Sequence, residues 1–183
     1  MWRELFVTVA QLIVASPMEW KELDREKRSR ADFLNRFLYP LFGVIALASF
    51  IGGLWFTRNG DLEHALKNSI ISVVAVFGAY YIVSYVLNET AERFELEKDL
   101  FRFQQFTGYS SVLMYALYCV IPFLPGFFIL WLLALYTIHV VHMGAVCFLK
   151  VPPLKRGAFI MVASGLIILV PTFIHALFSF ILQ

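Results

Sequence analysis

Hydrophobic and polar positions fall into long blocks along this chain rather than short alternations. Every Lys, Arg, Asp and Glu lies outside four stretches, residues 37–57, 68–88, 103–149 and 157–183. A bilayer core about 30 Å thick is crossed by about 20 apolar residues in a helix. The first, second and fourth stretches therefore predict one span each. The third is long enough for two, and "IPFLPGFF" at 121–128 divides it with two prolines and a glycine, predicting a tight turn between antiparallel helices. The pattern predicts an all-α integral membrane protein with five transmembrane helices, at about 37–57, 68–88, 106–124, 126–149 and 158–181.

Residues 1–36 read differently, as a charged and amphipathic arm before the membrane domain of 37–183. Trp2, Leu5, Phe6, Val9, Leu12 and Ile13 recur at helical spacing and form one apolar stripe. About three turns of helix are too short to span, so a short amphipathic helix at the membrane interface is expected. Glu4 and Gln11 interrupt the apolar run behind Arg3, which argues against a cleaved signal peptide. Ser16 and Pro17 end that helix or begin another. Residues 18–37 mix both charge signs densely, as in a solvated helical arm. Its basic members can face anionic headgroups, at about 1 kcal/mol per residue. Trp20, Arg25, Arg28 and Arg30, with Lys155 and Arg156 on a later loop, are the candidate contacts for lipid or a protein partner.

Composition supports this picture. Of 183 residues 60% are hydrophobic and 15% charged, with a mean hydropathy of +0.74, whereas soluble domains carry about a quarter charged residues. The net charge of +2 gives no basis for nucleic-acid binding, and none is expected. Cys119 and Cys147 both fall inside predicted spans, so no disulfide framework is expected. Placement of Lys and Arg sets orientation. Of the 15 such residues, only Arg58 and Lys67 lie on one side; the rest lie on the arm, the second-to-third loop and the fourth-to-fifth loop. A cytoplasmic amino terminus and an exoplasmic carboxyl terminus follow, in the inner (cytoplasmic) membrane of the cell.

Candidate chemistry is sparse. "TIHVVHMG" places His139 and His142 on one face of the fourth span, and ionisable groups at membrane depth are functional suspects. One reading is a polar pocket of His139, His142, Tyr115, Tyr118 and Thr137, serving a small transporter or channel and implying a homodimer. The other is neutral imidazoles bonded to carbonyls or to Tyr115 and Tyr118. A metal is not expected, because no ordered ligand motif accompanies the histidines. Glu89, Glu92 and Glu95 in the loop at 89–105 lack the spacing of a calcium loop and read as the wet face of a short helix, with Ala91, Phe94 and Phe101 facing the membrane or protein. No span carries a carboxylate, and no nucleotide-binding or metalloprotease motif occurs. No cofactor and no enzymatic activity are expected. Ala48 with Gly52, Ser49 with Gly53, and Ala75 with Ala79 offer close helix packing.

"QLIVASPMEWKEL" followed by "FLYPLFGVIALASFIGGLW" resembles the amino-terminal pattern of bacterial-type members of the YIP (Ypt/Rab-interacting protein) family. Ser16, Pro17, Trp20, Tyr39 and Pro40 carry the match. Later segments look like the family's third and fourth spans, through Gln105, Tyr109, Ser110, Gly144, Pro152 and Lys155. The resemblance implies five spans with a cytoplasmic amino terminus. It also implies a non-enzymatic role, binding or organising protein partners or lipids at the cytoplasmic membrane face. Eukaryotic relatives act in vesicle traffic and contact Rab-type GTPases through a long cytosolic region. Here only about 36 residues precede the first span, which departs from that pattern.

Overall fold

The computed structural model describes residues 2–55, 61–124 and 132–181, and among these the chain is helical without a strand. In chain order the helices are α1 (Trp2–Val14), α2 (Ser16–Glu26), α3 (Arg30–Trp55), α4 (Leu62–Glu89), α5 (Leu100–Ser110), α6 (Val112–Val120), α7 (Thr137–Cys147) and α8 (Pro153–Ile181). A 3₁₀ turn at Ile121–Phe123 extends α6, and one at Ala134–Tyr136 leads into α7.

Helices α3, α4 and α8 are each long and apolar enough to cross a membrane. Helices α5 and α6, bent by 44° at Ser111, make a fourth candidate. Ala134–Cys147 is apolar but shorter. Of the turn expected at 121–128, the 3₁₀ turn after Val120 is seen, and residues 125–128 lie outside the described residues.

Side-chain caps explain several helix starts. Ser29, Asp61 and Asp99 each accept a backbone N–H three residues on, at 3.1, 2.7 and 3.1 Å. The Ser29 cap starts α3 at Arg30, inside the segment expected to be a separate arm. Within α3, Leu34–Leu38 is wound as a π-helix, and the Tyr39 N–H bonds the Leu34 carbonyl five residues back. Pro40 follows directly. Its ring lacks an N–H and crowds the carbonyl four residues earlier, and the wider turn relieves that crowding.

Small residues set the closest helix approaches. A methyl group on Gly53 would meet the Ala65 backbone of α4 at 2.8 Å, and one on Gly52 would strike Pro122. Ser49, Gly53, Ala75 and Ala79 are buried as their spacing predicts. In lipid no hydrophobic drive holds helices together, so such contacts carry much of the packing.

The largest departure from the sequence reading is the amino-terminal segment. Helices α1 and α2 form an antiparallel hairpin packed on the bundle, not an in-plane helix followed by a solvated arm. Thr8 of α1 hydrogen-bonds Glu19 of α2, and Glu4 and Leu5 share a groove with Glu26, Lys27 and Arg28. Leu5, Thr8 and Leu12 face inward, whereas Trp2 and Phe6 of the expected stripe face outward. Periodicity finds an apolar face; here α1 is apolar on two.

Gly53→Val should overpack the α3–α4 contact and cost about 1–3 kcal/mol. Thermal melting of the detergent-solubilised protein should drop accordingly, while Gly43→Val, at a position with nothing within 4 Å, should leave it unchanged.

Candidate functional site

The best-formed arrangement of polar and aromatic groups lies at the charged end, where α2 packs on α5 and α7. Trp20 is 0% exposed. Its indole N–H donates to the Val140 carbonyl at 3.2 Å. Its ring packs against Phe106 (5.8 Å between centroids), Phe148 (5.5 Å) and, edge-on, Tyr109 (6.0 Å). Gly144 makes this possible: a methyl group there would meet Trp20 at 2.7 Å and Phe106 at 2.8 Å. The aromatic packing continues from Tyr109 to Phe37 (4.6 Å) and Phe33 (5.1 Å) of α3. Thus α2, α3, α5 and α7 share one aromatic core.

An ionic layer sits about one turn beyond Trp20 along α2. Asp24 accepts from Arg102 Nη2 at 3.1 Å and from Lys150 Nζ at 2.9 Å. Arg102 also donates to the Phe148 carbonyl at 2.5 Å, and its guanidinium lies 5.0 Å from the Phe148 ring centroid. One aspartate therefore joins α2 to the start of α5 and the end of α7. Nearby, Arg28 pairs with Glu26 at 2.5 Å and donates to the Tyr109 hydroxyl at 3.5 Å, and Gln105 donates to the Arg28 carbonyl at 3.3 Å. An open groove of about 570 Å³ lies beside them, lined by Glu4, Lys27, Arg28, Asp32 and Arg36 among others. On the far loop, Lys98 bridges Glu89 (3.2 Å) and Glu92 (3.8 Å). Glu92 and Glu95 face solvent there, and Ala91 and Phe94 are buried.

Glu19 is the deepest carboxylate of the hairpin and is largely buried. Burial raises its pKa, partly opposed by the Thr8 hydrogen bond and by Arg28.

Trp20, expected as a contact for partners, is instead enclosed, and its indole serves the fold. Arg25, Arg30 and Lys155 are exposed. Arg28 and Arg156 are half-buried, Arg156 donating to the Val151 carbonyl at 3.2 Å. Asp24, Arg102 and Lys150 were not singled out, because their pairings span 78 residues and more and leave no local signal.

The expected polar pocket is not gathered into one place. His139 is exposed, its ring 5.2 Å from Tyr136, and His142 is half-buried. Thr137 is fully buried on the opposite side of the same helix. Tyr115 packs edge-on against Phe42 at 5.5 Å. Tyr118 instead lies 5.8 Å from His175, beside a cavity of about 180 Å³ lined also by Ser72, Pro122 and Thr172. The transporter expectation rested on that pocket, and no finding supports it. Among the described residues no cluster of three or more metal-ligating side chains occurs.

Long apolar helices packed side by side, with ionised groups confined to their ends, define a helical membrane protein. The chain matches the family model of the Yip1 domain over residues 11–175, and it belongs to that family. The matched region takes in Trp20, Gly144 and the whole ionic layer. Members of the family are not known as enzymes. Comparison with curated proteins and with solved structures gives no match.

Trp20→Ala should cost about 3–5 kcal/mol and release α2, read as faster proteolysis between α2 and α3. Gly144→Leu should reproduce that release from the other side of the contact. For Glu19 the raised pKa means that stability is fullest when the group is protonated. It falls as pH climbs from the ordinary carboxylate range through the raised value. Glu19→Gln should therefore melt higher than the native protein at neutral pH, and the gap should close on acidification.

Proposed function

We propose that this protein is a non-enzymatic, five-span member of its family, held in the inner membrane of the cell. It binds or organises protein partners or lipids at its cytoplasmic face. The excess of Lys and Arg at one end of the helices supports a cytoplasmic placement for that end. In this reading the apolar helix Ala134–Cys147 belongs to the fourth crossing and α8 is the fifth, after the long apolar helices α3 and α4 and the bent pair α5–α6.

The observation that carries the reading is the fixed charged platform. The Asp24 bridge and the Trp20 contact hold α2 rigidly against the bundle. Arg25, Arg30 and Lys155 are left exposed at that end, beside the groove that Lys27, Arg28 and Arg36 line. Cations held on a rigid support recognise anionic groups with little loss of conformational freedom.

The test replaces Arg25, Arg30 and Lys155 together by glutamate and reads cross-linked adducts in living cells, both protein and lipid. At about 1 kcal/mol for each cation near the surface, recovery should fall more than ten-fold. Undiminished recovery of both kinds of adduct would remove the platform from the function.

A further inference from the structure

The outer surface of the amino-terminal hairpin takes no part in the contacts described above. Between Glu4 and Glu19 neither α1 nor α2 carries an ionised residue. The large outward side chains there are apolar, Val14 being 85% exposed, Met18 75%, Phe6 59% and Val7 44%, and Gln11 is the one exposed uncharged polar residue among them. Val14 and Met18, the most exposed of them, flank the tip of the hairpin, where α1 turns into α2 at Ala15.

Two rulers within the protein fix how deep the tip lies. The first is α2 itself. Asp24 sits in the ionic layer with Arg102 and Lys150, and eight residues separate it from Ser16, about 12 Å of helix. The second is the pair of helices against which α2 packs. Contacts of α2 pass from Arg102 to Phe106 and Tyr109 on α5, and from Lys150 through Phe148 to Val140 on α7. At the tip the Tyr136 hydroxyl donates to the Ile13 carbonyl at 2.8 Å. All these contacts run in one direction, away from the charged end and toward the apolar middle of the bundle.

From these observations we propose that the α1–α2 hairpin is sunk into the cytoplasmic leaflet alone and works as a wedge. Its outer surface is bathed by the acyl chains of that leaflet. A tip about 12 Å inside the ionic layer stays within half of a hydrocarbon core about 30 Å thick. The two hairpin helices, each about 10 Å across, widen the protein in one leaflet and leave the other unchanged. Such a body fits best where the cytoplasmic leaflet is stretched, on membrane that bulges toward the cytosol. The occupant is lipid rather than another protein. The surface curves around a tip with charges above it and none on it, as an amphipathic element at an acyl boundary requires. The inference rests on the cytoplasmic placement proposed above only for the direction of bending; the insertion itself does not depend on it.

Two measurements test it. In the first, Val14→Cys, Met18→Cys and Arg25→Cys are made singly in a Cys119→Ala, Cys147→Ala background, spin-labelled and reconstituted into phosphatidylcholine–phosphatidylglycerol bilayers. Labels at Val14 and Met18 should collide with oxygen and be shielded from a water-soluble nickel chelate. The label at Arg25 should show the opposite. Nickel access at Val14 equal to that at Arg25 would place the hairpin in water and overturn the proposal, whatever the cross-linking of the platform gives.

In the second, Glu97→Cys in the same background carries an impermeant fluorophore, so that only molecules with the charged end outward are seen. Narrow tubes are then pulled from giant vesicles of that lipid mixture. The protein should be denser on the tube than on the parent vesicle. Val7, Val14 and Met18 all point outward, so replacing the three together by alanine should preserve melting and bring the ratio close to one. Equal density of the unaltered protein on tube and vesicle would overturn the wedge.

Discussion

The indole of Trp20 fills a space that exists only because residue 144 has no side chain, and it spends its single N–H on the Val140 carbonyl. From this contact follow the position of α2, the reach of Asp24 to its two cations and the angle at which α1 returns along the bundle. The aromatic rings around it, Phe106, Tyr109 and Phe148, come from α5 and the end of α7. In an apolar surrounding the directional part of such a contact matters more than the area it covers. Lipid competes for area but offers no partner to an N–H group.

The ionic layer depends on that contact in turn. A carboxylate with two cations is favourable where water and headgroups still screen it and costly deeper in. Asp24 is placed at the level where α5 and α7 present Arg102 and Lys150. One turn below, Glu19 has no such pair, and burial dominates its titration. Glu19 and Asp24 thus differ in their surroundings along a single helix, one enclosed and the other paired with two cations. The same difference separates the half-immersed hairpin from the exposed platform of Arg25 and Arg30.

Much of this architecture was legible in the sequence, and the reasons are local. Uncharged stretches marked α3, α4 and α8, because a span must exclude ionised groups along its whole length. Small residues at four-residue spacing marked the approach of α3 to α4, where Gly53 lies on Ala65. The inward turn of Ala91 and Phe94 followed from simple periodicity. Contacts between distant residues were not legible. Nothing beside Trp20 tells that a glycine far along the chain leaves room for it, so a buried anchor read as an exposed contact. His139 misled for the converse reason: a polar residue within an apolar run suggested a pocket, whereas its helix presents it outward beside Tyr136. The charged residues of α2 read as solvated, although Asp24 closes the packing.

The separation of 120 residues between Trp20 and Val140 has a consequence for how the molecule comes into being. The hairpin leaves the ribosome before α7, and the groove that receives it is not complete until α7 has been made and inserted. Until then, α2 lacks the helix whose Val140 carbonyl and Gly144 receive Trp20. A segment made before its partner helices thus settles only after them, and its docking reports that the bundle has assembled.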